Sequence, residues 1–167
     1  MPGRTPGLTT SQKGTISEYF VATALMTASD GRLSPFVPLS DDHGIDLIVL
    51  DKETGRSVSV QVKSWIGGAV PARRTVQFDV RKATYRADGG AMLLAVVLRP
   101  APISMETCWL IPMSEVPRLA VDRPGKYALS PSRAPDSDDR YSRYRHADAP
   151  SLVAALIGVL GGPPPEG

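Results

Sequence analysis

The sequence predicts an α/β (α+β) domain in which helices flank one mixed central sheet, and three stretches carry that expectation. Residues 11–29 have the length and spacing of a helix. Two apolar runs, 45–50 and 58–62, flank a polar turn at 51–56 that contains Gly55, the pattern of a β-hairpin. Residues 91–98 (AMLLAVVL) are almost wholly apolar and lie between Gly89-Gly90 and Pro100, as suits a central strand covered on both faces. A helix, a hairpin, a further short helix and more strands, in that order, build layers around one sheet.

Taken from the N-terminus, residues 1–10 contain two prolines and two glycines among few apolar groups and are read as disordered. Ser11 is placed as the cap of the first helix, which ends near Asp30-Gly31. Ile16, Phe20 and Val21 fall on one side of it, and Thr23, Ala24, Thr27 and Ala28 continue a small-residue surface. Glu18 is either a solvated helix carboxylate or a group turned to the sheet, with Gly14 letting the helix approach closely. Residues 32–39 alternate weakly and carry two prolines, which an edge strand tolerates. A polar turn, 40–44, then leads into the hairpin.

If that hairpin folds about Glu53 and Thr54, Asp46 lies opposite the Gln61–Lys63 end of the partner strand. Side chains alternate along a strand, so Gln61 and Lys63 share one face while Val60 and Val62 take the other. An acid, an amide and an amine therefore converge at the open end of an apolar hairpin, a place for a divalent metal and a phosphate.

Residues 65–71 form a Gly-rich loop, 75–80 a strand or extended segment, and 81–88 a short helix ending at Gly89-Gly90. The run 107–111, closed by Pro112, is the expected neighbour of 91–98, with Cys108 and Trp109 as packing residues. Residues 113–116 begin a short helix or turn, 122–146 read as a long surface excursion, and 150–160 as a compact apolar helix. The final stretch, 161–167 (GGPPPEG), is a disordered tail. One domain is expected over 11–160, a core over 11–112 and an extension over 113–160.

Composition narrows the function. A net charge of +2 is only mildly basic, so nucleic-acid affinity has to come from a local patch. The single cysteine excludes an internal disulfide framework and a cysteine-based zinc cluster. The two histidines, His43 and His146, are far apart in the chain and do not suggest a zinc site of the usual kinds. No secretory signal is visible and the apolar run 152–160 falls short of the ~20 residues a bilayer requires, so a cytoplasmic location without membrane contact is expected.

The arrangement Lys13-Gly14…Glu18, then Gly44-Ile45-Asp46, then Gln61-Val62-Lys63 resembles the PD-(D/E)XK nuclease superfamily, with its restriction-endonuclease-like αβββαβ core. The phrasing is most similar to the Holliday-junction resolvase and intron-encoded endonuclease branches, and the resemblance covers 11–112. It implies a metal-dependent DNA endonuclease whose catalytic set is Glu18, Asp46, Gln61 and Lys63. It also implies Mg²⁺ or Mn²⁺ as cofactor, DNA as partner, and a possible homodimer with 150–160 either as interface or as part of the monomer's core.

The chemistry suits those residue types. Phosphodiester hydrolysis needs an activated water, a stabilised pentacovalent transition state and a neutralised 3′-oxygen leaving group. Mg²⁺ takes hard oxygen ligands and keeps several waters. Asp46 is the principal ligand, the Gln61 side-chain oxygen or the Val62 carbonyl adds another, and Glu18 acts through a water or completes the shell. Lys63 sits by the scissile phosphate, orienting the attacking water or offsetting charge. Gln61 departs from the commoner acid and weakens metal affinity unless Glu18, Asp41 or Asp42 compensates. That departure supports an alternative, a non-catalytic nucleic-acid- or protein-binding module that keeps the nuclease fold; a third reading is a metal-free structural partner in a larger assembly.

Candidate phosphate contacts are Lys13, Arg32, Arg73, Arg74, Arg81 and Lys82. The stretch 140–145 (RYSRYR) interleaves arginine with tyrosine; it either stacks on bases or docks its tyrosines onto the domain.

Overall fold

The computed structural model describes residues 7–40, 43–67 and 74–161. Its first element, α1 (Thr10–Ala28), starts from Thr9, not from Ser11. The Thr9 hydroxyl accepts from the Gln12 amide at 3.1 Å, and the Gln12 side chain accepts from the Thr9 amide at 2.9 Å. This reciprocal pair satisfies two amides that the first turn leaves unpaired, which is why the helix begins two residues early.

Strands β1 (Leu33–Phe36), β2 (Leu47–Asp51), β3 (Ser57–Ile66), β5 (Met92–Pro100), β6 (Ile103–Pro112) and β9 (Arg145–His146) form a sheet in the order β1-β2-β3-β5-β6-β9. As expected, β1 is an edge strand with Pro35 in it. The β2–β3 hairpin pairs Leu47 with Val60 and Leu50 with Ser57, and the Asp51 amide donates across the turn to Arg56 O at 2.9 Å. Strands β3 and β5 run parallel, which makes the sheet mixed.

Alternation on this sheet sorts its apolar side chains into two cores. Val60, Val62, Leu94 and Val96 face α1 and α3 (Ala149–Val159), against Val21, Leu25, Val153 and Leu156. Leu93, Ala95, Val97, Trp109 and Ile111 face the other way. They meet Phe78 and Val80 of β4 (Phe78–Arg81), Leu129 of β8 (Lys126–Leu129), and Val116 and Leu119 of α2 (Val116–Leu119). Every residue of β5 from Met92 to Leu98 is buried, as a strand covered on both faces should be. Burial also pushes the Cys108 thiol up to about 12, so it stays protonated and acts as a packing residue.

Several sequence expectations differ from the structure. Strand β4 joins β8 and β7 (Val121–Arg123) in a second, three-stranded sheet in the order β4-β8-β7. The expected helix at 81–88 is instead a 3₁₀ turn, Lys82–Thr84, followed by a second at Asp88–Gly90. The stretch 122–146 is no mere surface excursion. Tyr141 is buried and donates its hydroxyl to Leu119 O at 2.9 Å, and Arg145 enters β9. The RYSRYR stretch therefore docks onto the domain, and the apolar 150–160 segment packs into the first core through Leu152, Leu156 and Leu160.

On α1 the buried line is Ser17, Val21, Ala22 and Leu25, while Ile16, Tyr19 and Phe20 line an outer groove. No helix among the described residues is long and apolar enough to cross a membrane. Residues 1–6 and 162–167, within the stretches read as disordered, lie outside the described residues, as do Asp41, Asp42 and Arg73.

Candidate active site

The hairpin's register positions the first two groups. Asp46 precedes β2, and its amide donates to Val60 O at 3.0 Å, beside the Leu47–Val60 pair, which holds it near the Gln61–Lys63 end of β3. Beyond that point β2 has no further residue to pair with Val62, and the Asp46 side chain takes over. Its Oδ2 accepts from the Val62 amide at 2.6 Å, a short, charge-assisted bond that fixes the carboxylate against β3. A residue's amide and carbonyl leave a strand on the same edge, so the Val62 carbonyl also opens toward Asp46.

Gln61 and Lys63 project from the opposite face to Val60 and Val62, as alternation requires. Gln61 is only 5% exposed, and its Oε1 is buried with no hydrogen-bond partner among the described residues. An unpaired buried acceptor costs about 1–3 kcal/mol, so this oxygen is set for a cation or a donor that completes it.

Gly44 makes the Gln61 position possible. Its φ of +65° is the left-handed conformation that glycine adopts freely. A Cβ there would stand 2.7 Å from Gln61 Nε2 and 3.0 Å from the Thr84 carbonyl oxygen. Gly44→Ala is thus expected to cost about 1–2 kcal/mol from the backbone alone, lowering Tm by roughly 3–6 °C in thermal melts. It should also displace the Gln61 amide.

A cleft of about 730 Å³ collects Glu18, Asp46, Gln61, Val62 and Lys63, together with Lys13 and Arg81. The helix contributes Lys13, Gly14 and Glu18, with Glu18 one turn after Gly14 on the same side. Gly14 does not serve a tight helix–sheet contact. A Cβ at that position would meet only Glu18 Oε1, at 3.9 Å, among the described residues.

Lys63 also lies within the field of Asp79 on β4. Burial raises the Asp79 carboxyl, but hydrogen bonds from Lys126 and Gln77 and the charges of Lys126 and Lys63 outweigh it and hold the group below the usual carboxylate range.

The remaining basic candidates divide. Arg81 lines the cleft, from the end of β4. Lys82 does not: its Nζ pairs with Asp122 at 2.5 Å and lies 5.1 Å above the Tyr127 ring. Arg74 is exposed and outside the residues that line the cleft. Arg32 sits at the other end of the hairpin, held by Asp51 and Glu53. Arg73 lies outside the described residues. His43 lines a neighbouring pocket of about 380 Å³ behind Gln61. The hydroxyl residues Thr10, Ser11, Thr15 and Thr84 also border the cleft. Sequence reasoning missed these as site residues, because Ser11 looked like a cap and Thr84 reaches the cleft only through the β3–β5 crossover.

The donor set fits a hard divalent cation. Two carboxylates, the unpaired Gln61 Oε1 and a backbone carbonyl are all oxygen ligands of the kind Mg²⁺ and Mn²⁺ accept.

No protein-family model matches the chain, and no curated protein matches it in sequence. Among solved structures it is similar to a bacterial homing endonuclease, I-Ssp6803I. The identity is 22% and the TM-score 0.54, over 92% of this chain and 94% of that one. What the two share is a fold, a mixed α+β endonuclease-like core in which helices flank a mixed central sheet.

Proposed function

We propose that this protein is a divalent-metal-dependent endonuclease of the PD-(D/E)XK type that hydrolyses phosphodiester bonds in DNA. The observation that carries the reading is the single cleft in which Glu18, Asp46, Gln61 and Lys63 meet. Asp46, Glu18, the Gln61 amide oxygen and the Val62 carbonyl would hold Mg²⁺ or Mn²⁺. When bound, the ion supplies Lewis-acid stabilisation of the charge on the phosphoryl group.

This chain's own residues do the rest. Lys63 presents its ammonium to a non-bridging oxygen of the scissile phosphate, offsetting charge that grows as water attacks phosphorus and the 3′-oxygen departs. Lys13 and Arg81, which also line the cleft, hold the flanking backbone in register. The Asp46–Val62 bond keeps the carboxylate from rotating away. Cutting both strands would call for two copies of the site, and a homodimer would supply them.

A second reading, a binding module that keeps the fold without catalysis, is favoured by one observation. The cleft carries the neutral amide of Gln61 where a third carboxylate would add to the hold on a cation. The deciding assay incubates plasmid and branched DNA with Mg²⁺ or Mn²⁺ and compares wild type with Lys63→Ala. The nuclease reading expects nicking or linearisation by wild type and loss of roughly 10²–10³ in rate for the variant. Equal cutting by both would reveal a contaminant, and DNA binding without cleavage on every substrate would favour the second reading.

A further inference from the structure

We propose that a pocket at the far end of β3, ringed by Arg99, Arg133 and Arg145, binds a second phosphate of the same DNA strand. The proposal rests on the nuclease reading and adds a backbone clamp to it. The pocket has a volume of about 600 Å³ and is lined by Gly67, Glu106 and these three arginines. Gly67 directly follows Ile66, which borders the cleft, so the two concavities adjoin along one strand.

Alternation sets their faces. Lys63 and Trp65 project from the same side of β3, and the Arg133 guanidinium stacks 4.9 Å from the Trp65 ring centroid. Positive charge thus continues from Lys63 to Arg133 along one face. Lys63 and Gly67 are four positions apart along the chain, about 13 Å at the usual strand rise. That distance spans a few nucleotides of a strand whose axial rise is about 3.4 Å per nucleotide.

Charge counting favours an anion. Three guanidiniums surround one carboxylate, Glu106, so three positive charges against one negative leave +2. Arg133 donates to both Glu106 oxygens at 2.8 Å. Arg145 has a structural task, donating to Arg133 O at 2.7 Å, to Thr107 Oγ1 at 3.1 Å and to Ala134 O. Those bonds tie the 133–146 segment to the sheet, and each guanidinium has five N–H donors to divide. Arg99 is engaged more loosely, in a long ion pair with the same Glu106. Its side chain is 64% exposed, and its Nε stands 3.6 Å from Glu106, too far for a good hydrogen bond. A planar donor fork at the mouth of a positive pocket suits a phosphodiester.

The test is a salt titration of binding to a labelled DNA duplex without divalent cation, read by fluorescence anisotropy. It compares wild type, Arg99→Ala, Arg99→Glu and an exposed control on β7, Arg123→Ala. Arg99→Ala is expected to weaken binding several-fold at low salt and to reduce the slope of log K against log salt by about 1. Arg99→Glu should reduce both further, and the Tm of Arg99→Ala should stay close to wild type, since the ion pair it gives up is long and exposed. Wild-type slope and affinity in both Arg99 variants would overturn the clamp while leaving the nuclease reading intact, as would an equal loss in Arg123→Ala. A wild type that binds no DNA would overturn both.

Discussion

Asp46→Asn is expected to lower cation-dependent DNA cleavage by roughly 10²–10³-fold while leaving the fold in place. Asparagine has the shape of aspartate and keeps an oxygen that can accept from the Val62 amide, so the β2–β3 junction retains its bond. What it removes is one of the two carboxylate charges in a cleft that also holds Lys13, Lys63 and Arg81. With three cations against one anion, a divalent ion is repelled. Residual activity should therefore appear only at higher Mg²⁺ than wild type needs. Rates measured against Mg²⁺ concentration, beside a thermal melt of the same preparation, separate loss of the site from loss of structure. A variant that cuts at the wild-type rate, with the wild-type cation requirement, would remove Asp46 from the chemistry.

Asp51→Ala is expected to destabilise the protein by about 3–5 kcal/mol, lowering Tm by roughly 10 °C or more. Asp51 is fully buried at the turn of the hairpin. It accepts from Arg32 Nε at 2.9 Å, Arg32 Nη2 at 3.0 Å, the Glu53 amide at 3.0 Å and the Thr54 hydroxyl at 3.1 Å. Removing the carboxylate leaves a largely covered guanidinium without its main counter-ion, and that orphaned charge is the larger part of the cost. The hydrogen bond from Arg32 dominates and, against the opposing effect of burial, brings the Asp51 pKa down to about 2. A depressed carboxyl stabilises the fold above its unfolded pKa and loses that contribution as pH falls through the folded value. Wild type should therefore weaken between about pH 4 and pH 2, while Asp51→Ala lacks this component. Urea melts across that window measure the difference.

The parts legible in the sequence are those in which neighbours along the chain decide the outcome. The 51–56 turn fixes the register of β2 on β3, and that register brings Asp46 to the Gln61–Lys63 end of β3. The apolar run 91–98 announces a strand buried on both faces because few other environments accept it. Partners far apart in the chain left no such signal. Lys82 looks like a phosphate contact until Asp122 and Tyr127 arrive from another sheet to engage it. Strands β4, β7 and β8 are each three or four residues long, too short to show a period, and they exist because they pair with one another. The polar composition of 122–146 hides Tyr141, whose ring is buried while its hydroxyl finds the Leu119 carbonyl. The alignment of Arg99, Arg133 and Arg145 draws on three distant segments and has no local pattern at all.

The enclosure of β5 from Met92 to Leu98 bears on how the chain reaches its native state. Its parallel partner, β3, precedes it, but β6 on its other edge, β8 on one face and α3 on the other must all follow it from the ribosome before it is sheltered. Until then a seven-residue ribbon, Met92 to Leu98, without charge or proline, is open to other nascent polypeptides, the composition from which intermolecular zippers assemble. Chains truncated before β8 should accumulate in inclusion bodies, and co-expressed chaperones should raise the soluble yield of the intact protein.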